Sequence, residues 1–200
     1  MKVYRQTNSF YKSNSYILYN NSENAFIIDC GDADKLLSWL KRNNKILSGI
    51  ILTHTHFDHI YGLNNFLRVY KNIKVYTSEF GKDALFDTKK NFSHYHEENF
   101  KFDGSNIEIL KDGDSVSLWD DIKLFVIETK GHDKSCLTYS VDNYLFTGDS
   151  YIPGVKVITS LPNSNKEEAT RSEKLILSLI TDNTFLCPGH GEITLGNQII

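Results

Sequence analysis

Apolar residues fall in short runs separated by polar, turn-forming clusters. This is the pattern of strands alternating with helices. Tyr16-Ile17-Leu18-Tyr19 and Ala25-Phe26-Ile27-Ile28 are two such runs, and the Asn20–Asn24 cluster between them predicts a hairpin. Asp29-Cys30-Gly31-Asp32 ends the second strand and leads into a helix. Leu36, Leu37 and Leu40 recur there at helical spacing beside Trp39, and Asn43-Asn44 closes it. Ile46 to Leu52 reads as a buried strand, and Ile60 to Tyr70 as the helix that follows it.

Further along, Ile73–Thr77 alternates like a strand, and Ser78 is placed to cap a short helix to Phe86. Residues 87–103 show no periodicity; they are polar and aromatic, and include His94 and His96. Short strands are predicted at Ile107–Leu110 and Ser115–Leu118, with a turn at Lys111–Asp114. Ile122–Glu128, Tyr144–Phe146 and Thr184–Cys187 are further strands. Lys166–Ile180 reads as a helix with Leu175, Ile176, Leu179 and Ile180 on its apolar side. No linker or low-complexity stretch divides the chain, so 1–200 is expected to form a single domain.

The loops after four of these strands carry the chemistry. Between the strand ending at Leu52 and the helix stands Thr53-His54-Thr55-His56-Phe57-Asp58-His59, with four potential metal ligands in six residues. Three of the chain's seven histidines lie there. In an extended strand end, residues two apart project to one side, so His54 and His56 can grip one ion. Asp58 and His59, where the chain turns into the helix, point elsewhere and are placed for a second. The other strands end in Gly131-His132, Gly148-Asp149 and Gly189-His190, where glycine lets the backbone close on a site. Counting ligands gives His54, His56 and His132 for one ion and Asp58, His59 and His190 for the other, with Asp149 bridging. Two ions about 3.5–4 Å apart can deprotonate a water between them at neutral pH and polarise the bond it attacks.

Composition narrows the setting. The chain has 200 residues, 40% of them hydrophobic and 24% charged, with a net charge of −3 and both signs interspersed. No basic patch favours nucleic acid, and no apolar run spans a membrane. The N-terminal residues Met1–Asn8 contain no apolar signal core. Cys30, Cys136 and Cys187 lack C-x-x-C spacing, which fits a reducing cytoplasm rather than a disulfide framework.

His54-x-His56-x-Asp58-His59, then Gly131-His132, Gly148-Asp149 and Pro188-Gly189-His190, resembles the metallo-β-lactamase superfamily, and most of all its glyoxalase II-like hydrolase branch. The resemblance runs from about Ser15 to Gly191 and fills all seven ligand positions of the dinuclear pattern. It implies an α/β (α+β) fold, a four-layer αββα sandwich with the metals at one edge of the two sheets. It further implies hydrolysis of an ester-type bond in a small-molecule substrate, a thioester or lactone foremost, by a metal-bridging hydroxide, with Asp58 and Asp149 as catalytic carboxylates. Zinc is the expected metal given the nitrogen-rich set, with iron or manganese as alternatives. An iron-dependent persulfide dioxygenase and a phosphodiesterase are the alternative activities on this fold. Oxygen-reducing members usually have glutamate at the position of His56 and a flavin domain, and neither is found here.

Three departures stand out. Tyr61 stands where members often have glycine. Thr129-Lys130-Gly131-His132-Asp133-Lys134-Ser135-Cys136 replaces the usual Thr-Pro-Gly-His-Thr-x-Gly-Ser. Glyoxalase II itself has a C-terminal helical domain that helps bind glutathione, whereas this sequence ends ten residues after His190; the expectation therefore leans away from a glutathione thioester. Tyr61, Tyr151, His94 and His96 are candidates for contact with substrate.

Overall fold

A computed structural model describes residues 1–97 and 99–199. One six-stranded sheet runs in the order β1 (Lys2–Thr7), β2 (Asn14–Tyr19), β3 (Asn24–Ile28), β4 (Ile46–Ile51), β5 (Val75–Thr77) and β6 (Ile107–Ile109). The first three strands pair antiparallel and β3 to β6 pair parallel. The predicted hairpin is β2–β3, in the register Tyr16↔Ile28. The other sheet has six strands in the order β12 (Thr194–Leu195), β11 (Phe185–Pro188), β10 (Tyr144–Gly148), β9 (Leu137–Val141), β8 (Ile122–Glu128) and β7 (Ser115–Trp119).

The apolar runs are explained by burial on both faces. In β2 and β3, Tyr16, Leu18, Phe26 and Ile28 face Val126, Leu137, Tyr139 and Phe146 of the other sheet. Their alternates, Ile17, Ala25 and Ile27, face Leu36, Trp39 and Leu40 of α1 (Ala33–Arg42). On the outside of the second sheet, Leu145 and Leu186 meet Ile176 of α5 (Lys166–Leu179). The layers therefore stack helix, sheet, sheet, helix. Directly below the histidine-rich motif the two sheets are joined by polar bonds. Leu137 N–H donates to the Thr53 carbonyl (2.8 Å), and the buried Tyr139 hydroxyl donates to the Leu52 carbonyl (2.6 Å).

Some expectations need correction. The helix expected over Ile60–Tyr70 is two, α2 (Phe57–Ile60) and α3 (Leu63–Val69). The break falls at Gly62, where any Cβ would stand 2.1 Å from the Gly31 carbonyl oxygen. On α5 the inward face is Ala169, Ser172 and Ile176, while Leu175 and Leu179 are 42% and 39% exposed. The small residues Ala169 and Ser172 lie against the Lys130-Gly131 loop, where Ser172 Oγ donates to the Lys130 carbonyl at 2.6 Å. The strands β1, β9 and β12 were not predicted. Ser78 does cap α4 (Glu79–Leu85), accepting from Gly81 N–H at 3.1 Å.

Candidate metal centre

Four strand ends converge at one edge of the sheets. After β4 the chain stays extended through His56, which has φ −65° and ψ 146°, and then enters α2. β8, β10 and β11 lead directly into the turns that carry His132, Asp149 and His190. Glycine is required at two of these turns. A Cβ on Gly189 would lie 2.0 Å from Asp149 Oδ1 and 3.0 Å from the His59 ring. Gly148 has φ +50°, and its Cβ would stand 2.5 Å from Thr53 Oγ1.

The structure brings all seven predicted ligand residues together as two trios with a carboxylate between them. The donor atoms of His54, His56 and His132 lie within 4.8 Å of one another, as do those of Asp58, His59 and His190. Asp58 Oδ2 is 3.4 Å from both His59 Nε2 and His190 Nε2. Asp149 reaches both trios: Oδ2 is 3.6 Å from His132 Nε2 and 3.4 Å from His190 Nε2, and Oδ1 is 3.6 Å from His59 Nε2.

Each of the five imidazoles has its other nitrogen tied down. His54 Nδ1 is 3.1 Å from Thr53 Oγ1, His56 Nε2 is 3.3 Å from Asp133 Oδ2, and His59 Nδ1 is 2.9 Å from Asp29 Oδ2. His132 Nδ1 meets the Ile158 carbonyl at 3.0 Å and His190 Nδ1 the Tyr11 carbonyl at 3.1 Å. Such outer partners fix ring orientation and tautomer in metal-binding histidines. Asp29 also falls within reach of His54 and His59. However, its oxygens accept from Thr53 N–H (2.7 Å) and Thr53 Oγ1 (2.6 Å) as well as His59, so it supports the ligands.

Among the described residues, His54 Nε2, His59 Nε2 and Asp149 Oδ1 are buried without a hydrogen-bond partner, and all three point into this cluster. An unsatisfied buried polar atom is destabilising. Shared cations would satisfy all three, and five imidazoles with two carboxylates are a donor set suited to zinc-like divalent ions. The residues present fit two metals.

The two trios differ electrically. Burial, with the neighbouring imidazoles, holds His54 well below the usual histidine range and His132 below it. Burial also opposes a charge on His59, but Asp58, Asp149 and Asp29 outweigh it and raise the ring to about 9. His190 is raised to about 10: burial again opposes, and Asp149 and Asp58 prevail. Burial would push the Asp58 and Asp149 carboxyls up, yet the surrounding histidines hold Asp58 below and Asp149 well below the ordinary value. Without a metal, protons on His59 and His190 balance the two carboxylates.

The other predicted residues are placed variously. His96 stacks on Phe57, with centroids 4.9 Å apart, and lines a cavity at the cluster. His94 is exposed against Tyr95, with Nδ1 3.1 Å from the Thr88 carbonyl. The Tyr61 hydroxyl donates to Asp32 Oδ1. Tyr151 packs beside Leu145 and Ile176. From the 87–97 segment, Phe92, Tyr95 and His96 line the site: Phe92, at φ +61°, sets its ring edge-on to His56 at 4.8 Å. Sequence reasoning did not single out Asp29 or Asp133 as supports. Asp133 was visible only as a departure from the usual motif. Tyr11 and Ile158 act through backbone carbonyls, which leave no sequence signal.

A sequence profile of the Metallo-beta-lactamase superfamily matches residues 9–190. Among similar proteins, "Glyoxylase B2" of Dictyostelium discoideum is 32% identical over 162 residues, covering 78% of this chain and 54% of that protein. A hydroxyacylglutathione hydrolase of Buchnera aphidicola subsp. Acyrthosiphon pisum is 32% identical over 184 residues, 91% of this chain and 62% of that protein. The chain thus spans little more than half the length of these relatives. A probable metallo-hydrolase of Streptococcus pyogenes is 26% identical over 198 residues, 97% of this chain and 85% of the other. Of solved structures, the BLEG-1 B3 metallo-beta-lactamase superposes with a TM-score of 0.90 at 27% identity, covering 98% of this chain and 95% of that one.

Proposed function

The chain belongs to the metallo-beta-lactamase superfamily, and from that premise we propose a dinuclear metal-dependent hydrolase of ester-type bonds, a thioester or a lactone. One observation carries this reading. Two ligand trios straddle Asp149, every histidine has its outer nitrogen anchored, and three inward atoms lack partners among the described residues. Two divalent ions, zinc by donor chemistry, would supply a water of lowered pKa and polarise the carbonyl it attacks.

The chain's own groups do the remainder. His54, His56 and His132 would hold one ion, and Asp58, His59 and His190 the other. Asp149 would be shared, its negative charge offsetting the repulsion between cations. Asp58, with Oδ2 3.4 Å from His59 Nε2 and His190 Nε2, would accept a hydrogen bond from the attacking water and aim it at the carbonyl carbon. A covalent thiol route lacks support, because Cys30, Cys136 and Cys187 are all buried and line neither cavity at the centre. Burial also raises each thiol above its usual range. Three buried free thiols accord with a reducing cytoplasm as the place of action. No helix among the described residues is long and apolar enough to cross a membrane.

The test is hydrolysis by purified protein of a glutathione thioester, an acyl-CoA, a lactone, a β-lactam and a phosphodiester, each with a metal-stripped control. Metal-dependent turnover of a thioester or lactone, abolished in Asp149→Ala, is expected. Turnover that survives metal removal or Asp149→Ala overturns the reading. Persulfide-dependent oxygen uptake by iron-loaded protein, with no hydrolysis, would replace it with the redox alternative.

A further inference from the structure

Two cavities meet at the metal centre, of about 520 Å³ and 360 Å³. They share His132, Asp149, Ile158 and His190. A bond held at the ligand cluster therefore has one side running into each lobe. The lobes differ in chemistry. The larger is aliphatic, walled by Ile152, Val155, Val157 and Ile158. The smaller is aromatic, walled by Tyr11, Phe57, Phe92, Tyr95 and His96.

Both walls are preformed. Ile152-Pro153-Gly154-Val155 is a tight turn closed by Val155 N–H to the Ile152 carbonyl (3.1 Å), with Gly154 at φ +73°. Proline followed by a glycine of positive φ is the type II arrangement, which needs little further ordering to present Ile152 and Val155. The same segment is tied to the centre by the Ile158 carbonyl at His132 Nδ1 and by Ser164 Oγ donating to the His132 carbonyl (2.6 Å). In the aromatic lobe, His96 stacks on Phe57 and stands edge-on to Phe10 at 4.9 Å.

These walls leave apolar surface open to water. Tyr11, Tyr95, Val155 and Ile158 are 66%, 67%, 56% and 55% exposed, and all four line the two lobes. Apolar side chains held open around a functional centre mark a binding surface. The charge lining is sparse. Among the described residues, Lys156 is the only lysine or arginine on either wall, and Glu192 is paired with Arg5 at 2.6 Å. Beyond the ions the centre would hold, a leaving group with several carboxylates or phosphates would find one wall cation, Lys156.

Resting on the hydrolase reading above, we propose that the substrate is an uncharged ester or thioester with an aliphatic acyl chain in the Ile152–Ile158 lobe and a flat ring leaving group against Tyr11, Phe57 and His96. In the reaction the acyl C–O or C–S bond breaks and the water oxygen bonds to the acyl carbon. One water proton passes to the departing alcohol or thiol, and the other is released as the carboxylic acid product ionises.

The test uses metal-loaded full chain with aryl esters of acetate, butyrate, hexanoate and octanoate, and calorimetry of the four free carboxylates as product ligands. We expect kcat/KM to rise by up to about fourfold per buried methylene until the lobe is filled, with carboxylate affinity rising in parallel. Val155→Asp is expected to flatten both series, and Tyr11→Ala to reduce the preference for aryl over methyl esters. Flat series in the parent protein overturn the proposal, as does a gradient that Val155→Asp leaves untouched. Graded carboxylate binding with no hydrolysis of any ester would support the lobe and overturn the hydrolase reading instead.

Discussion

Asp133 Oδ2 stands 3.3 Å from His56 Nε2, on the side of the ring turned away from the ligand cluster. Asp133 is fully buried, and its other oxygen accepts from Ser135 N–H at 2.8 Å and from the Ser135 hydroxyl. Ser135 Oγ in turn lies 3.1 Å from both Thr55 N and Thr55 Oγ1. A chain of polar contacts thus runs from the His132 loop back to the strand end carrying His54 and His56, and leaves His56 Nδ1 to face His132 Nε2 at 3.1 Å.

Asp133→Ala should therefore weaken metal retention at the His54–His56–His132 position by about 10- to 100-fold. Chelator competition followed by cobalt absorption would show one ion lost before the other. Equal retention of both ions in the variant would contradict a positioning role for this carboxylate.

Asp29→Ala acts on the other trio and on the fold. It frees the His59 ring and leaves Thr53 N–H and Oγ1, both buried, without their acceptor. A buried unsatisfied group costs about 1–3 kcal/mol. A lower Tm in the metal-free protein and weaker binding of the ion held by His59 are both expected. Thermal melts with and without metal separate the two effects.

His59 at about 9 and His190 at about 10 set a pH dependence. Both lie above the ordinary histidine value of about 6.5. Their contribution to stability is complete below that value and is lost as pH rises through 9 to 10. Metal-free protein should therefore lose Tm across this window. At pH 7, metal uptake should release about two protons, one from each ring. Calorimetry in buffers of different ionisation enthalpy counts them, and no net release would contradict the charge assignment.

Gly189→Ala places a methyl group 2.0 Å from Asp149 Oδ1. The shared carboxylate must move, so metal affinity should fall by at least about tenfold for a displaced ligand while the sheets persist. Circular dichroism and metal content, measured together, check this. Full metal loading would show that Asp149 is not confined as described.

The elements legible in the sequence are those whose residues are apolar for a single reason. The runs at 16–19, 25–28 and 49–52 are covered on both faces and announce themselves. Leu137-Thr138-Tyr139-Ser140-Val141 was missed because Thr138 is polar and yet buried, paired with Thr129 at 2.8 Å. No local pattern shows that a hydroxyl will find a partner from another strand. Lys2–Thr7 was missed because its side chains are mostly half-buried at a sheet edge. On α5 the leucines misled: hydrophobicity alone placed Leu175 and Leu179 inward, whereas Ala169 lies against Gly131 and Ser172 Oγ donates to the Lys130 carbonyl. At the centre, the candidate ligands are readable because four strand ends carry an imidazole or carboxylate in one chain; a lone histidine such as His132 would more often be structural. Their supports are not readable, because Asp29 and Asp133 become partners of His59 and His56 only once the strands are side by side.

The distribution of the centre between the two sheets has a consequence for how the protein is made. His54, His56, Asp58 and His59 are synthesised before His132 and Asp149, and His190 follows all of β1 to β11. A nascent chain can offer the early histidines to a passing cation, but neither trio is complete until the second sheet has docked. A metal site that needs His132 and His190 would therefore be completed only once strands of the second sheet are in place. A cation meeting the His54–His59 segment before then would find two donors of each trio and neither His132 nor His190.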